Sequence, residues 1–326
     1  SIDFSNINTN NLVDMEGMFN GCNSLISLNL SKFNTEKVTN MHSLFEDCQS
    51  LSSIDLSNFD TKSVKNNKIT SLNLSNFNTK NVEEMFCMFD DCQSLISIDI
   101  SKFETQNVLN MNSMFFRCKS LKTINISNFN TINVSGMNSM FSDCISLETI
   151  NLSNFNTKNV LDMNEMFYKC KSLKILDLSS FNTENVINLS GMFSYCENLI
   201  TVNISNFNTQ NVENMEEMFF ACESLKSINL SSFITKKVRY MRQMFDYCNS
   251  LTSLNISNFY INNSVDINAM FDKCNNLAFI DISSFHINTC DDFSFSAHPD
   301  EGEIFVSDDF YNCINESLPN WKITKR

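Results

Sequence analysis

The sequence predicts an α/β repeat solenoid: a parallel sheet of about twelve short strands on one side and short α or 3-10 segments on the other. Three observations carry this. Cysteines recur at a fixed step of 26 residues, at 22 and 48 and then at 92, 118, 144, 170, 196, 222, 248 and 274. Each closes the same unit, LxxLxLSxFxTxxVxxMxxMFxxCxS, which reads in full from Leu121 to Ser146. Composition is skewed as repetition demands, with 30 Phe, 17 Met and 13 Cys against 5 Gly, 2 Pro and 1 Trp, and no shift before about Ile287.

The LxL segment is a strand. Ile2/Phe4 begins the series, Leu28/Leu30 and Ile124/Ile126 continue it, and Ile280/Ile282 ends it. Alternation turns the two apolar residues to one face and the residue between them to the other. The VxxMxxMFxxC segment steps by three and four, as in Val134, Met137, Met140, Phe141 and Cys144. That is one stripe of a helix, with Thr131 placed to cap its N-terminus, although a run of 3-10 turns satisfies the same pattern. One unit cannot bury its apolar face alone, so units stack and share a core. Twelve strands then span roughly 55 Å, concave on the strand side because the other side is bulkier.

Two places break the period. From Phe59 to Phe77 the step is 18, and Val64 runs through Lys65-Asn66-Asn67-Lys68 to Ile69 with no MxxMFxxC. Either this unit has lost its outer segment, or eight residues are absent from the numbering. The flanks fit an uncompensated loss of eight, which favours the second. Near Ile261–Val265 the Thr is replaced and the Val column slips by one. The expected division is a solenoid over 1–285 and a C-terminal cap over 286–326, which holds both prolines and the Trp.

Net charge is −14, so nucleic acid is an unsuitable partner: phosphate binding needs gathered Lys and Arg. No apolar run approaches the ~20 residues of a membrane span, so this segment is not expected to insert in a bilayer. The chain begins at Ser1 inside a repeat, and a true N-terminus carrying any export signal is expected to lie elsewhere. Abundant Asn, Ile, Lys and Phe read as AT-rich coding.

The pattern SLxxLxLSxFxTxxVxxMxxMFxxC closely resembles the BspA-like leucine-rich repeats of the 26-residue bacterial surface protein kind, over about residues 1–285. The tail from Glu303 to Trp321 resembles that family's closing segment, with Ser307 where Pro is usual. The resemblance implies a leucine-rich-repeat horseshoe on a cell surface or secreted, in contact with host or cell-surface protein or glycan. It supplies no catalytic or cofactor residue and no binding residue.

Two surfaces are candidate sites. On the concave face Asp99, Asn125, Asn151, Asp177, Asn203, Asn229 and Asn255 form a column flanked by Ser and Thr. It is either a flat lattice for a repetitive partner or a set of hydrogen-bond ladders that serve the fold. Near-identical units carry little information with which to choose a ligand, which favours the ladders. Seven Asn-x-Ser sequons on adjacent strands would crowd glycans at about 5 Å, so a bacterial exterior or an interior fits better than a eukaryotic secretory route. On the convex side Phe116, Tyr168, Tyr195, Phe220 and Tyr247 stand just before the cysteines, as a partner-binding stripe or as packing. Glu213 and Glu216 are expected to face Arg239 and Arg242 across the stack.

No metal or cofactor is expected. The column cysteines sit singly, not as CxxC with His nearby, and read as a ladder of buried thiols. Cys87 is off-column and expected to be exposed, and Cys290 and Cys313 have the option of pairing in the cap. The stretch from Cys290 to Glu301 gathers acids, a thiol and His298, but matches no metal spacing and reads as a capping loop. His42, His286 and His298 are dispersed, so no catalytic pairing is legible. The expected function is binding or adhesion at a cell surface. The alternatives are a structural component of a viral or other large particle, or an intracellular scaffold.

Overall fold

The computed structural model describes residues 4, 7–28, 30, 32–51, 53–54, 71–74, 77–287, 299–314, 318 and 320–326. The chain forms two compact units, Ser1–Asn159 and Val160–Arg326. Each is a parallel β-solenoid with little helix. The first unit carries β1 (Ser27–Leu28), β2 (Ser53–Ile54), β3 (Ser71–Asn73), β4 (Ser97–Asp99), β5 (Thr123–Ile124) and β6 (Thr149–Ile150). The second carries β7 (Ile175–Asp177), β8 (Thr201–Asn203), β9 (Ser253–Asn255), β10 (Ile261–Asn262), β11 (Phe279–Ile282), β12 (Phe285–His286), β13 (Glu303–Val306), the short helix α1 (Tyr311–Ile314) and β14 (Lys322–Lys325). Register follows the repeat, as in Thr123↔Thr149 and Leu176↔Val202.

The expected strand series needs correction at its C-terminal end and once inside. Ile2 lies outside the described residues, and 228–230 forms no strand. At the C-terminal end the sheet does not stop at β11. It continues through β13 to β14, so the cap contributes two further parallel strands.

The outer helices do not form. Every coil in this segment holds residues in the left-handed region, such as Ser113 and Arg117 (φ 54° and 55°) and, one coil on, Ser139 and Asp143 (53° and 58°). Such residues end an i→i−4 ladder. Three-residue turns replace it: Met114 N–H to the Met111 carbonyl at 3.3 Å, and Cys118 to Phe115 at 3.2 Å. Between turns, alternate N–H groups point to the next coil. Met111, Ser113, Phe115 and Arg117 donate to the carbonyls of Gly136, Asn138, Met140 and Ser142 at 2.8–3.0 Å. The outer side is thus a second cross-coil ladder, called here the turn face. The apolar stripe still faces inward: Val134, Met137, Met140, Phe141 and Cys144 are fully buried.

Left-handed geometry at a residue with a Cβ costs roughly 1–2 kcal/mol, and glycine at Gly17, Gly21 and Gly191 avoids that cost. Replacing Ala269 (φ 54°) with Gly therefore raises stability by about 0.5–1 kcal/mol, after allowance for the freer unfolded chain. Denaturant unfolding checks it, and a loss of stability would show that backbone strain at these turns is negligible.

The core is a set of stacked columns. Phe45, Phe89, Phe115 and Phe141 lie 5.4–5.8 Å apart and within 10° of parallel. Phe193, Phe219 and Phe245 repeat this at 5.3 and 5.6 Å. Thr131 does not cap a helix. Its buried hydroxyl donates to the Asn156 carbonyl (2.9 Å) and accepts the Asn156 N–H (2.8 Å), clamping the next coil. Thr105, Thr183, Thr209 and Thr235 do the same. Asparagine is structural as well as compositional. Asn107, Asn133, Asn159 and Asn211 donate to turn carbonyls 27 residues earlier, and Asn128, Asn154 and Asn258 each hold two.

At the shortened unit, residues 55–70 lie outside the described ones, and so does the choice between its two readings. On the turn face the coil of Cys48 stacks directly on that of Cys92, with Asn40 bridged to Glu84 and Phe45 on Phe89 at 5.8 Å. On the sheet face β1, β2, β3 and β4 pair in order. Among the described residues, then, β2 is a rung of the sheet beside coils that are direct neighbours on the turn face.

In the cap, the Trp321 indole donates to the Pro299 carbonyl at 3.0 Å. Gly302 lies so close to Ala278 and Trp321 that a Cβ would come within 2.7 Å of both. Ser307, where the resembled family has Pro, donates to the Phe285 carbonyl and accepts the Phe310 N–H at 3.3 Å. Residues 288–298 and the side chain of Cys313 are outside the described residues, so the capping loop and the Cys290–Cys313 option are too.

Candidate functional site

On the sheet face the column Asp99, Asn125, Asn151, Asp177, Asn203, Asn229 and Asn255 is exposed, as alternation requires. Each side-chain Oδ1 accepts the N–H of the Ser two residues on, at 3.0 Å in Asn151 and 3.2 Å in Asn125. These are local turns within a coil, not a ladder between coils. The exception is Asn203, whose amide donates to Asp177 at 3.0 Å. Hydrogen bonds from Ser101 hold the Asp99 carboxyl below its ordinary range, and those from Ser179 do so for Asp177. The column ends at Asp281, which is buried and paired with Arg326 at 2.9 Å. Arg326 in turn lies 3.5 Å over the Phe305 ring.

On the turn face the five aromatics occupy two columns, not one. Phe116, Tyr168 and Phe220 stand two residues before Cys, and Tyr195 and Tyr247 one before. The structure joins four of them into a zigzag. Tyr168, Tyr195, Phe220 and Tyr247 meet edge to face at 5.7, 5.0 and 5.7 Å, each half-buried. Cations close its ends, with Lys169 4.7 Å from Tyr168 and Lys273 4.2 Å from Tyr247. Phe116 stays apart in the first unit under Arg117 at 4.5 Å. The zigzag is packing and surface at once.

Beside it lies a hollow of about 240 Å³ lined by Glu165, Tyr168, Ser190, Gly191, Glu216 and Glu217. Burial and the neighbouring Glu216 raise the Glu217 carboxyl. The expected side-chain pairs Glu213–Arg239 and Glu216–Arg242 do not close among the described residues. Those coils are joined through backbone instead, Arg239 N–H to the Glu213 carbonyl at 2.9 Å. A cross-coil pair that does close on this side is Lys171–Glu197 at 2.6 Å.

A third surface was missed by sequence reasoning. In the second unit Leu161 and Ile187 follow the buried Val of their coils and are 50% and 45% exposed, and Tyr240 beside that column is 49% exposed. The signal was present in the column after Val, read from coil to coil.

From Cys48 onward the cysteine column is buried, and its thiols donate to the Phe carbonyl of the preceding coil, as Cys118 to Phe89 and Cys144 to Phe115 at 3.1 Å. Burial pushes these thiols well above their ordinary range. Cys87 is buried too, contrary to expectation. It sits in the left-handed column of Ser43 and Ser113 (φ 53°), and burial raises it to about 12. Brief iodoacetamide treatment of the native protein is therefore expected to label half-buried Cys22 and spare Cys118, Cys144, Cys222 and Cys248. Equal labelling by peptide mapping would mean that the ladder opens readily.

Near Cys87, Asp90 has a buried Oδ1 without a partner. Burial first, then the Glu46 charge, raises its carboxyl from 3.8 to about 7; Arg117 opposes this. The folded state thus holds a proton that the unfolded state releases, between about pH 4 and 7. Stability from this group is greatest below that window and falls as pH rises through it. Asp90→Asn is expected to flatten the dependence and to be more stable than the parent at pH 8. A parent–variant difference unchanged from pH 4 to 8 would show Asp90 ionising normally.

Among the described residues no group of three or more His, Cys, Asp or Glu is arranged to hold a metal ion, and no helix is long and apolar enough to cross a membrane. A family model described as "Mycoplasma protein of unknown function, DUF285" matches residues 1–70, 65–176 and 162–285. No curated protein matches the chain. Solved structures similar to it include an internalin from Listeria monocytogenes, at 13% identity over 85% of this chain and 87% of that one, TM-score 0.25. A leucine-rich repeat protein from Eubacterium ventriosum is 14% identical over 89% and 77%, TM-score 0.37. The TLR13–ssRNA13 complex is 12% identical over 92% and 59%, TM-score 0.25.

Proposed function

The chain belongs to the DUF285 family, and on that premise we propose that it is a non-enzymatic protein-binding module whose turn face in the second unit meets the partner. The observation that carries this reading is where the coils differ. The sheet-face column is Asn or Asp in coil after coil. The turn-face column before Cys reads Arg117, Asp143, Lys169, Tyr195, Ala221, Tyr247 and Lys273. Only a surface that varies along the stack specifies a partner. Half-exposed tyrosines beside a hollow and an apolar shoulder are the chemistry of interface anchors. The sheet-face Asn groups, by contrast, already spend their oxygens on local turns. The finer reading is adhesion at a bacterial cell surface, supported by the resemblance of the repeat unit to surface-protein repeats.

The test compares three proteins as baits against host or cell-surface extracts. One is the parent. The second carries Tyr195→Asp and Tyr247→Asp, which the fold tolerates because Asp47, Asp91 and Asp143 hold the same column. The third carries Lys at Asn125, Asn151, Asp177 and Asn203. A partner lost only by the second supports the reading. Loss only by the third moves the site to the sheet face, and a partner held equally by all three excludes both columns.

A further inference from the structure

A glycine makes the hollow on the turn face of the second unit. Glu165, Gly191 and Glu217 hold one column on successive coils, and Gln243 and Ala269 continue it. The middle coil thus lacks a side chain between two glutamates. Coils repeat at about 4.8 Å, so the backbones that carry Glu165 and Glu217 stand ~10 Å apart with only glycine between them in the column. Glu165 leans into the space: a Cβ on Gly191 would come 3.3 Å from its Cγ. The half-buried ring of Tyr168 forms a further wall, and Ser190 and Glu216 complete it. At about 240 Å³ the hollow is smaller than the ~300 Å³ at which small-molecule pockets begin, which suits one side chain rather than a whole small ligand.

The charged residues that line it are all acids. Burial first, then the charge of Glu216, raise the Glu217 carboxyl; Glu165 and Asp246 add to this, and Arg242 opposes it. These carboxylates repel one another in a half-buried space, and a cation brought from outside relieves that repulsion. A guanidinium is suited to the place. It is planar and weakly hydrated, binds carboxylates through a fork of donors, and lies flat on an aromatic ring. Along the coil Leu161 precedes Glu165 and Tyr168, so the hollow lies between the apolar shoulder and the aromatic zigzag.

We infer that the hollow is a socket for one arginine side chain, presented by a segment of the partner protein whose neighbouring apolar residue lies on Leu161 and Ile187. This rests on the turn-face reading above and names the chemistry that the partner must carry. Charge complementarity selects the cation, and the adjoining shoulder selects a peptide, since a free guanidinium or polyamine would leave Leu161 and Ile187 bare.

The test selects short random peptides on the immobilised full chain and remeasures the winners as synthetic peptides by fluorescence anisotropy. One variant carries Glu165→Gln, Glu216→Gln and Glu217→Gln, which keeps the shape of the hollow; Gln243 already holds the Glu217 column. A control of equal net charge carries Glu184→Gln, Glu223→Gln and Glu301→Gln, at exposed positions outside the lining. A further variant carries Tyr195→Ala and Tyr247→Ala, and Ala221 holds that column in the same left-handed geometry. The expected peptides carry Arg beside Leu, Ile or Phe. They bind the first variant at least ~10-fold more weakly, lose as much on the parent when that Arg becomes citrulline, and keep parent affinity on the control. Equal loss on the control overturns the inference, because the net charge of −14 would then act as a whole. Peptides without Arg that only the Tyr variant loses overturn it and leave the turn-face reading standing. Peptides indifferent to the Glu and the Tyr variants overturn both readings. Absence of any enriched peptide overturns the inference and leaves the turn-face reading to the extract comparison.

Discussion

Replacing Phe219 with Ala is expected to cost about 3–5 kcal/mol of unfolding free energy. Phe219 is fully buried and stacked between Phe193 at 5.3 Å and Phe245 at 5.6 Å, each ring nearly parallel to its own. Removing it empties one place in a column that repeats on both sides. The neighbours are held in register by backbone bonds such as Phe219 N–H to the Met244 carbonyl at 2.9 Å, so they cannot collapse into the space. Both the lost transfer energy and the cavity then count. Denaturant unfolding of the purified protein decides it, and a loss below 1 kcal/mol would mean that the Phe column is not the core.

The second large effect comes from a change that leaves shape almost untouched. Thr209→Val is expected to cost ~2–4 kcal/mol, because one buried hydroxyl serves two backbone groups of the next coil. It donates to the Ile234 carbonyl at 2.9 Å and accepts the Ile234 N–H at 2.7 Å. Valine fills the same volume and leaves both groups unpaired. Thr201→Val on the exposed sheet face is the matched control and is expected to change stability by less than about 0.5 kcal/mol. Equal small effects at the two sites would show that water replaces the clamp.

Much of this was legible in the sequence. Period 26 fixed which residues are inside, because Val134, Met137, Met140, Phe141 and Cys144 face the core in a helix and in a run of turns alike. That same fact hid the difference between the two. Apolar spacing of three and four is blind to backbone hand, and the left-handed columns accept Ser, Asp, Lys and Tyr as well as Gly, so composition gave little sign of them. Cys87 was misplaced for a related reason: it is out of step with the other cysteines but in step with Ser43 and Ser113. The role of Thr131 was read from within its own coil, whereas its partner lies 25 residues on.

The candidate surfaces fared differently. Exposure of the Asn and Asp column follows from alternation alone. That its oxygens close local turns depends on the Ser two residues on, which the sequence displays but whose geometry only the structure resolves. The aromatic zigzag needed knowledge of two columns at once, since Tyr168 and Tyr195 touch only because they belong to successive coils and different columns.

The clamps, ladders and ring stacks share one sequence separation, about 26 residues, apart from the jump across the shortened unit. Forming any new layer on an existing one therefore closes a loop of the same modest length, and closure entropy grows only slowly with length. No contact in the described solenoid waits on the meeting of distant segments. The protein is thereby suited to nucleate at any pair of neighbouring layers and zip outward, so its refolding rate should depend little on how many layers the array contains.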